Sequence, residues 1–332
     1  MASNAKNLAE YLNNQTTSAT ADIADGSITT AKLAADAVTA AKLADNAVVT
    51  ANIADNAVTA AKQSGSTVGA FAFGGTITEY ESGGTRYRVH SFLNSNRISF
   101  TGTLTCDYLI VGGGGGSAAA EAATGSTGGG GAGGMVVATS QSITAGNYDV
   151  VVGAGGAKST NDQAPSSNGG NSSFNSHIGL GGGGGTDYGT DSQTGGSGSG
   201  GSEHQEAGAA STQNTYSGVT NVTGYGNAGG QGGNYDSVGG TVGSAGGGGA
   251  GGAGAAANST TVAGGAGRAN NFRTGSNVTY ATGGQGVSGT TNGVAGGANT
   301  GDGAGGVSSG GGGNNNSADG GSGIVVIRYA VT

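Results

Sequence analysis

Cysteine, proline, tryptophan and charge are all scarce in this chain, and each shortage closes off a class of protein. The one cysteine, Cys106, leaves no intrachain disulfide to form. It sits in the apolar run LTCDYLIV, where a buried, inert thiol is expected. A single proline, with glycine that keeps no strict every-third-residue period, excludes a collagen helix. Charged residues are only 9% of the chain, against roughly 25% in ordinary globular domains. That is too little charge for a typical disordered chain, and patches rich in Val, Ile and Tyr read as strands. A net charge of −8 with 11 basic residues provides no Lys/Arg stripe for gripping phosphates, so nucleic acid is not an expected partner. The N-terminal MASNAKNLAEYLNN lacks the basic start and apolar core of a secretory signal. No window approaches the ~20 apolar residues of a membrane-spanning helix. Synthesis in a cytoplasm is expected, with any exit by lysis or as part of a particle.

What is present is repetition. Residues 25–64 read as four ten-residue units, DGSITTAKLA, ADAVTAAKLA, DNAVVTANIA and DNAVTAAKQS. Ile28, Val38, Val48 and Val58 form one apolar column, and Leu33, Leu43 and Ile53 form another. Units this short cannot bury their own apolar residues and must stack or associate. Ten residues turn an α-helix by about 1000°, so each unit drifts about 80° and no common helical face survives. In a strand the two columns, five residues apart, face opposite sides. The unit that fits is a turn at Asp-Asn or Asp-Gly followed by about one turn of helix, capped for example by Thr39. Three such chains can bring both columns to a shared axis. Ahead of the repeat, Ala5, Leu8 and Leu12 lie on one face of a possible short helix, either an anchor or trimerisation plug or a frayed terminus.

The character changes at residue 65. Strands are expected in TVGAFAFGG, GTITEYESGGTRYRVHSFL, RISFTGTLT and CDYLIV, with Ser82-Gly83-Gly84-Thr85 as a hairpin turn. Further strands are expected at 135–138, 148–152 and 324–331, the last closing a sheet around everything between. His90 is expected to face outward. Glycine blocks then alternate with segments rich in Ser, Thr, Asn and Ala, and the chain holds 78 glycines in all. Each glycine fixed in regular structure costs roughly 0.5–1 kcal/mol more chain entropy than alanine, so a folded form needs a compensating gain. One solution is a bundle of extended threefold glycine runs, close enough for their backbones to bond to one another, with the polar segments as end loops.

The decads are similar to repeats of phage tail-fibre proteins. GGTITEYESGGTRYRVHSF, LTCDYLIVGGGGG, GNYDVVVGAGGA, GGNSSF and the closing GGSGIVVIRY resemble the glycine-rich domain of phage fibres, especially in viruses of marine bacteria. The likeness covers about residues 20–332. It implies a trimeric virion fibre whose distal domain is a polyglycine-II sandwich with receptor-contacting end loops. No binding residue transfers by position.

Motifs for chemistry are weak. VGAGGAKS at 152–159 approaches a phosphate-binding loop, but Ala157 replaces the glycine before Lys158 and no helix is expected to follow. His90, His177 and His204 have no metal-ligand spacing. His204, in SEHQE, fits a solvated loop tip better than a cation or sugar site. Acidic residues such as Asp187, Asp191, Glu203, Glu206 and Asp236 occur in the expected loops, but nothing in their spacing makes the carboxylate pair of a glycosidase. Tyr188, Tyr216, Tyr225, Tyr235, Phe272 and Tyr280 should stand at loops or outer faces, where rings beside Ser, Gly and Asn have paratope-like chemistry or merely cover the bundle's edge.

The expected fold is therefore fibrous and mainly β. Residues 1–20 attach to a virion tail or adaptor, 21–64 form a trimeric stalk, 65–111 a β-region, and 112–332 a glycine-rich distal domain closed by strand 324–331. The stalk axis is expected to take Ile28, Leu33, Val38, Leu43, Val48, Ile53 and Val58. Receptor contacts are expected from Tyr188, His204, Tyr216, Tyr225, Tyr235, Phe272 and Tyr280, toward a host surface polysaccharide or outer-membrane protein. The expected chain is a non-enzymatic homotrimer without cofactor or metal, located in the virion. The alternative is a purely structural tail or capsid appendage.

Overall fold

The computed structural model describes residues 69–331 apart from 121–124, 162–163, 188, 205, 234–242, 258–260, 288–290 and 309–315. The chain divides into Met1–Thr67 and Val68–Thr332, and the stalk columns lie outside the described residues. Fifteen strands occur in chain order: β1 Ala72–Phe73, β2 Thr76–Ser82, β3 Thr85–Phe92, β4 Asn96–Phe100, β5 Leu104–Val111, β6 Met135–Ile143, β7 Gly146–Val150, β8 Ser172–Phe174, β9 His177–Gly179, β10 Val222–Tyr225, β11 Thr261–Val262, β12 Arg268–Asn270, β13 Val278–Tyr280, β14 Gly286–Val287 and β15 Ile324–Val331. There is no helix among the described residues, and every strand pair is antiparallel.

The main sheet runs β10-β6-β5-β15-β3-β2. The C-terminal strand is thus inserted between β5 and β3. The β2–β3 hairpin turns at Gly83 (φ 60°) and Gly84 (φ 76°), the pair of positive φ angles that a tight two-residue hairpin turn requires. The central strands read as near-continuous apolar runs because both faces are covered. Cys106, Tyr108, Ile110, Val325, Ile327 and Tyr329 point into one core with Ile98, Phe100 and Val150 of the small sheet β1-β4-β7. Their alternates Leu109, Val111, Ile324 and Val326 point into a second core with Phe272 and Tyr280. This two-sided cover corrects the expectation for His90: it is fully buried, because β3 also lies inside the sheet, between β15 and β2.

The glycine runs continue these strands. β5 passes directly into 112–118, 127–134 into β6, and 316–323 into β15. Along 112–117, successive N–H groups donate to Gly134, Gly170, Gly321, Gly131, Ser167 and Ala318. The acceptors rotate among three neighbouring segments and return to the same one every third residue. Its carbonyls accept on the same rhythm: Gly113 and Gly116 from 182 and 185, Gly114 and Ser117 from 156 and 159, and Gly115 from 304. This run is therefore bonded to neighbours on every side. Run 127–134 repeats the pattern, donating in rotation to segments 301–307, 180–186 and 245–248. Backbone groups buried away from water are thus paired without ladder geometry.

The close approach fixes the residue type. A Cβ on Gly130 would stand 2.5 Å from Gly115 O. Alanine and serine enter only where a neighbour leaves room, as at the fully buried Ala132, Ala304, Ser117 and Ser197.

Candidate functional site

The runs alternate in direction, so their connections fall at two ends. One end abuts the sheet and carries 171–179, 213–224, 267–281 and 297–301. The other, the loop end, carries the described residues 119–120, 125–126, 159–161, 164–166, 187, 189–192, 203–204 and 206. The direction follows from pairings such as Gly112 with Gly134 beside the sheet and Ser117 with Ala318 far from it. The nominated receptor residues do not share one surface. His204 lies at the loop end, half-buried, with φ 79°. Tyr188 and Tyr235 lie outside the described residues.

The other four nominated rings stand at the sheet end. Tyr216 is tied down: Ile178 N–H donates to its hydroxyl at 2.7 Å, and its ring meets His177 edge-on with centroids 4.9 Å apart. Tyr225 lies under the Arg268 guanidinium, 3.8 Å from the ring centroid. Phe272, in the turn between β12 and β13, stands on a loop as expected but is only 5% exposed, and Tyr280, in β13, is fully buried, which corrects its expected placement. The glycine bundle itself has no space for rings, but the sheet end does, because the β12–β13 hairpin roofs the second core.

Two polar groupings at the sheet end escaped the sequence reading. Arg328 donates to Asp107 at 3.0 Å and to the Tyr80 hydroxyl at 2.6 Å, while its guanidinium lies between the rings of Phe272 (4.1 Å) and Tyr87 (4.5 Å). A register shift between Cys106 and Tyr108 accompanies this arrangement, and Ser140 N–H also donates to Asp107. Nearby, the Tyr108 hydroxyl and His177 Nδ1 share a 2.8 Å hydrogen bond. Burial pushes the Tyr108 hydroxyl up to about 12 and draws the His177 imidazole below its usual range. Burial likewise pushes the Cys106 thiol up to about 12, the inert state expected for it.

Amide side chains complete the bundle where a neighbouring backbone is missing. Gly184 N–H donates to Asn168 at 2.7 Å, Gly181 N–H to Asn171 at 2.9 Å, and Leu180 N–H to Gln213 at 2.9 Å. The spacing of Asn168 and Asn171, three residues apart, was the available signal, since threefold runs return to the same side every third residue.

At the loop end, Asp187 and Glu203 are buried and Glu206 half-buried. Glu206 accepts from Ser202 Oγ at 2.7 Å and Gly189 N–H at 3.2 Å, and burial raises its carboxyl above the usual range. Among the described residues no cluster of three or more His, Cys, Asp or Glu is placed to hold a metal ion. No helix among them is long and apolar enough to cross a membrane. The 152–159 motif forms one of the extended runs, with Lys158 N–H bonded to Asp319, and no helix follows it.

These features define an all-β glycine-rich domain, with antiparallel sheets at one end and cross-bonded glycine runs leading away from them. Residues 94–330 match the family model described as a glycine-rich domain, well over half of the chain, and the chain belongs to that family. No curated protein matches it.

Proposed function

We propose that the chain is a structural virion fibre of a bacteriophage, a tail fibre that mediates host-receptor recognition and adsorption. In this reading the N-terminus joins a tail or adaptor protein, the decads form a trimeric stalk, and the glycine-rich domain is displayed outward without catalytic activity. The observation that carries it is the three-residue rotation of hydrogen bonds along 112–117 and 127–134, with partners on every side. That rhythm supports a polyglycine-II-like bundle, since polyproline-II-type chains have three residues per turn and no internal hydrogen bonds. Such a bundle is a rigid rod that ends in short polar loops, a fitting mount for weak sites that act together in a trimer. The ligand class is a host surface polysaccharide or outer-membrane protein.

A second reading, a purely structural tail or capsid appendage, is favoured by one observation: the described nominated rings lie at the sheet end, buried or engaged in contacts with neighbouring groups. Binding of the full chain to susceptible host cells separates the two. Saturable binding, competed by host envelope extract, supports recognition. A folded trimer that binds no host cells refutes it and leaves the appendage. Replacing Val38 and Val48 by Asp is expected to abolish the trimer in sedimentation; an unchanged trimer refutes the axial placement of these columns.

A further inference from the structure

Run 301–308 departs from the closed bonding of its neighbours. It donates to segments 282–285, 112–118 and 291–294, to Ser322 and to the Thr127 hydroxyl, and accepts from 127–133, from 321 and from 291. One side of the run is left over. The carbonyls of Gly303 and Gly306, three residues apart and so on one side of a threefold run, accept no bond among the described residues, nor does that of Gly305, whose row is otherwise paired through Asp302 and Ser308. Gln285 N–H, on the adjoining run, also has no partner among them. Three residues earlier, Thr282 N–H is satisfied by the Asp302 carboxylate at 2.8 Å. Asp302 therefore stands in for a neighbouring chain at the sheet end of this row, and beyond it the row is open among the described residues.

The opening is a groove of about 290 Å³ lined by Gly283, Gln285, Val294, Gly296, Asp302 and Gly303 among others. A smaller hollow of about 120 Å³ shares Gln285, Val294 and Gly305 with it and extends it toward Val287 and Thr291. Together they follow run 302–306, about 12–15 Å at ~3.1 Å per residue. Val294, on the rim, is 67% exposed.

We propose that this groove binds an extended polypeptide strand of a partner protein, lying parallel to the bundle axis, with glycine at every third position. The walls offer the Gly303 and Gly306 carbonyls at a three-residue repeat and the Gln285 N–H beside them, and a strand that approaches them as closely as the runs of the domain approach one another has glycine where it faces them, so a threefold glycine-rich strand completes the missing row. A second copy of the chain is the poorer occupant: its edge run 291–297 carries Val294 and Ala295 outward, and its central glycine runs are bonded within their own bundle. The Asp302 carboxylate at one end of the groove favours a strand with a positive charge there, such as a free amino terminus.

The test is fluorescence anisotropy of the full-length chain with a C-terminally labelled Gly-Gly-Ser-Gly-Gly-Ser peptide bearing a free amino terminus. Its counterpart is Ala-Ala-Ser-Ala-Ala-Ser with the same label. The glycine peptide is expected to bind at least about tenfold more tightly. Exposed-rim variants Gln285→Trp and Ala295→Trp, each checked for an unchanged thermal midpoint, are expected to weaken it about tenfold. Equal binding of the two peptides, no saturable binding, or indifference to both rim variants overturns the proposal. Concentration-dependent self-association lost in the same variants also overturns it, because the occupant is then a second copy.

Discussion

Gly130→Ala isolates the packing rule of the glycine runs. The added methyl would stand 2.5 Å from Gly115 O and 2.8 Å from Gly116 O, whereas ordinary contact begins at 3.4 Å. Runs 112–118 and 127–134 must therefore separate locally by the difference between 3.4 and 2.5 Å, about 0.9 Å. The bonds at risk are Gly115 N–H to Gly131 O (2.9 Å), Gly130 N–H to Ala304 O (2.8 Å) and Gly284 N–H to Gly130 O (2.9 Å). Stretched by that amount they leave the hydrogen-bonding range, and buried groups left unpaired cost roughly 1–3 kcal/mol each. Alanine restores only about 0.4–1 kcal/mol by restricting the unfolded chain. The expected net loss is about 3–5 kcal/mol, a fall in thermal midpoint on the order of 10 °C for a unit of this size. Gly252→Ala is the matched control, because the nearest atoms to its added methyl are at 3.7 and 3.8 Å. It should leave stability unchanged or raise it by up to about 1 kcal/mol. Tyrosine fluorescence during thermal unfolding reports on this unit, since every tyrosine but Tyr11 lies within it. If Gly130→Ala and Gly252→Ala unfold together, the claim that backbone proximity dictates glycine is refuted.

Three further outcomes are expected. Arg328→Ala should destabilise the sheet by about 2–4 kcal/mol, because it strips Asp107 and Tyr80 of a largely buried partner and empties the space between two rings. Arg328→Lys should recover little, since an ammonium lacks the planar fork; full recovery in denaturant titration counts against the stacked arrangement. Burial lowers the folded-state pKa of His90, so the unfolded chain takes up a proton first as pH falls below ~6.5. The stability held above that pH should decline until the lower folded value is passed, and His90→Gln should flatten this part of the profile; an unchanged profile refutes the assignment. Cys106 should resist a thiol reagent in the native state and react with one equivalent in denaturant; rapid native labelling contradicts its burial.

The strands were legible where their signal is local. The hairpin at Gly83-Gly84 follows from the need for positive φ at both turn positions. The run at 324–331 was legible as a strand from its apolar character, interrupted only by Arg328. His90 was misjudged because alternation along β3 gives the two faces but does not say that both are covered. The burial of Phe272 and Tyr280 was missed for a related reason: bulk excludes them from the glycine runs, but it does not locate the second core formed by distant strands. The Asp107–Arg328 pair spans most of the domain in sequence, so no local pattern could disclose it.

The sequence by itself pointed to a mainly β chain in which glycine runs bonded to one another are one way to satisfy their backbone groups. Only the tertiary structure decided which run meets which, and so where the bonding closes and where it stops. Those outcomes depend on how connections at the two ends return each run beside another. Glycine-rich runs therefore differ in role: among the described residues 112–118 and 127–134 are enclosed, while 301–308 keeps one side open to a groove.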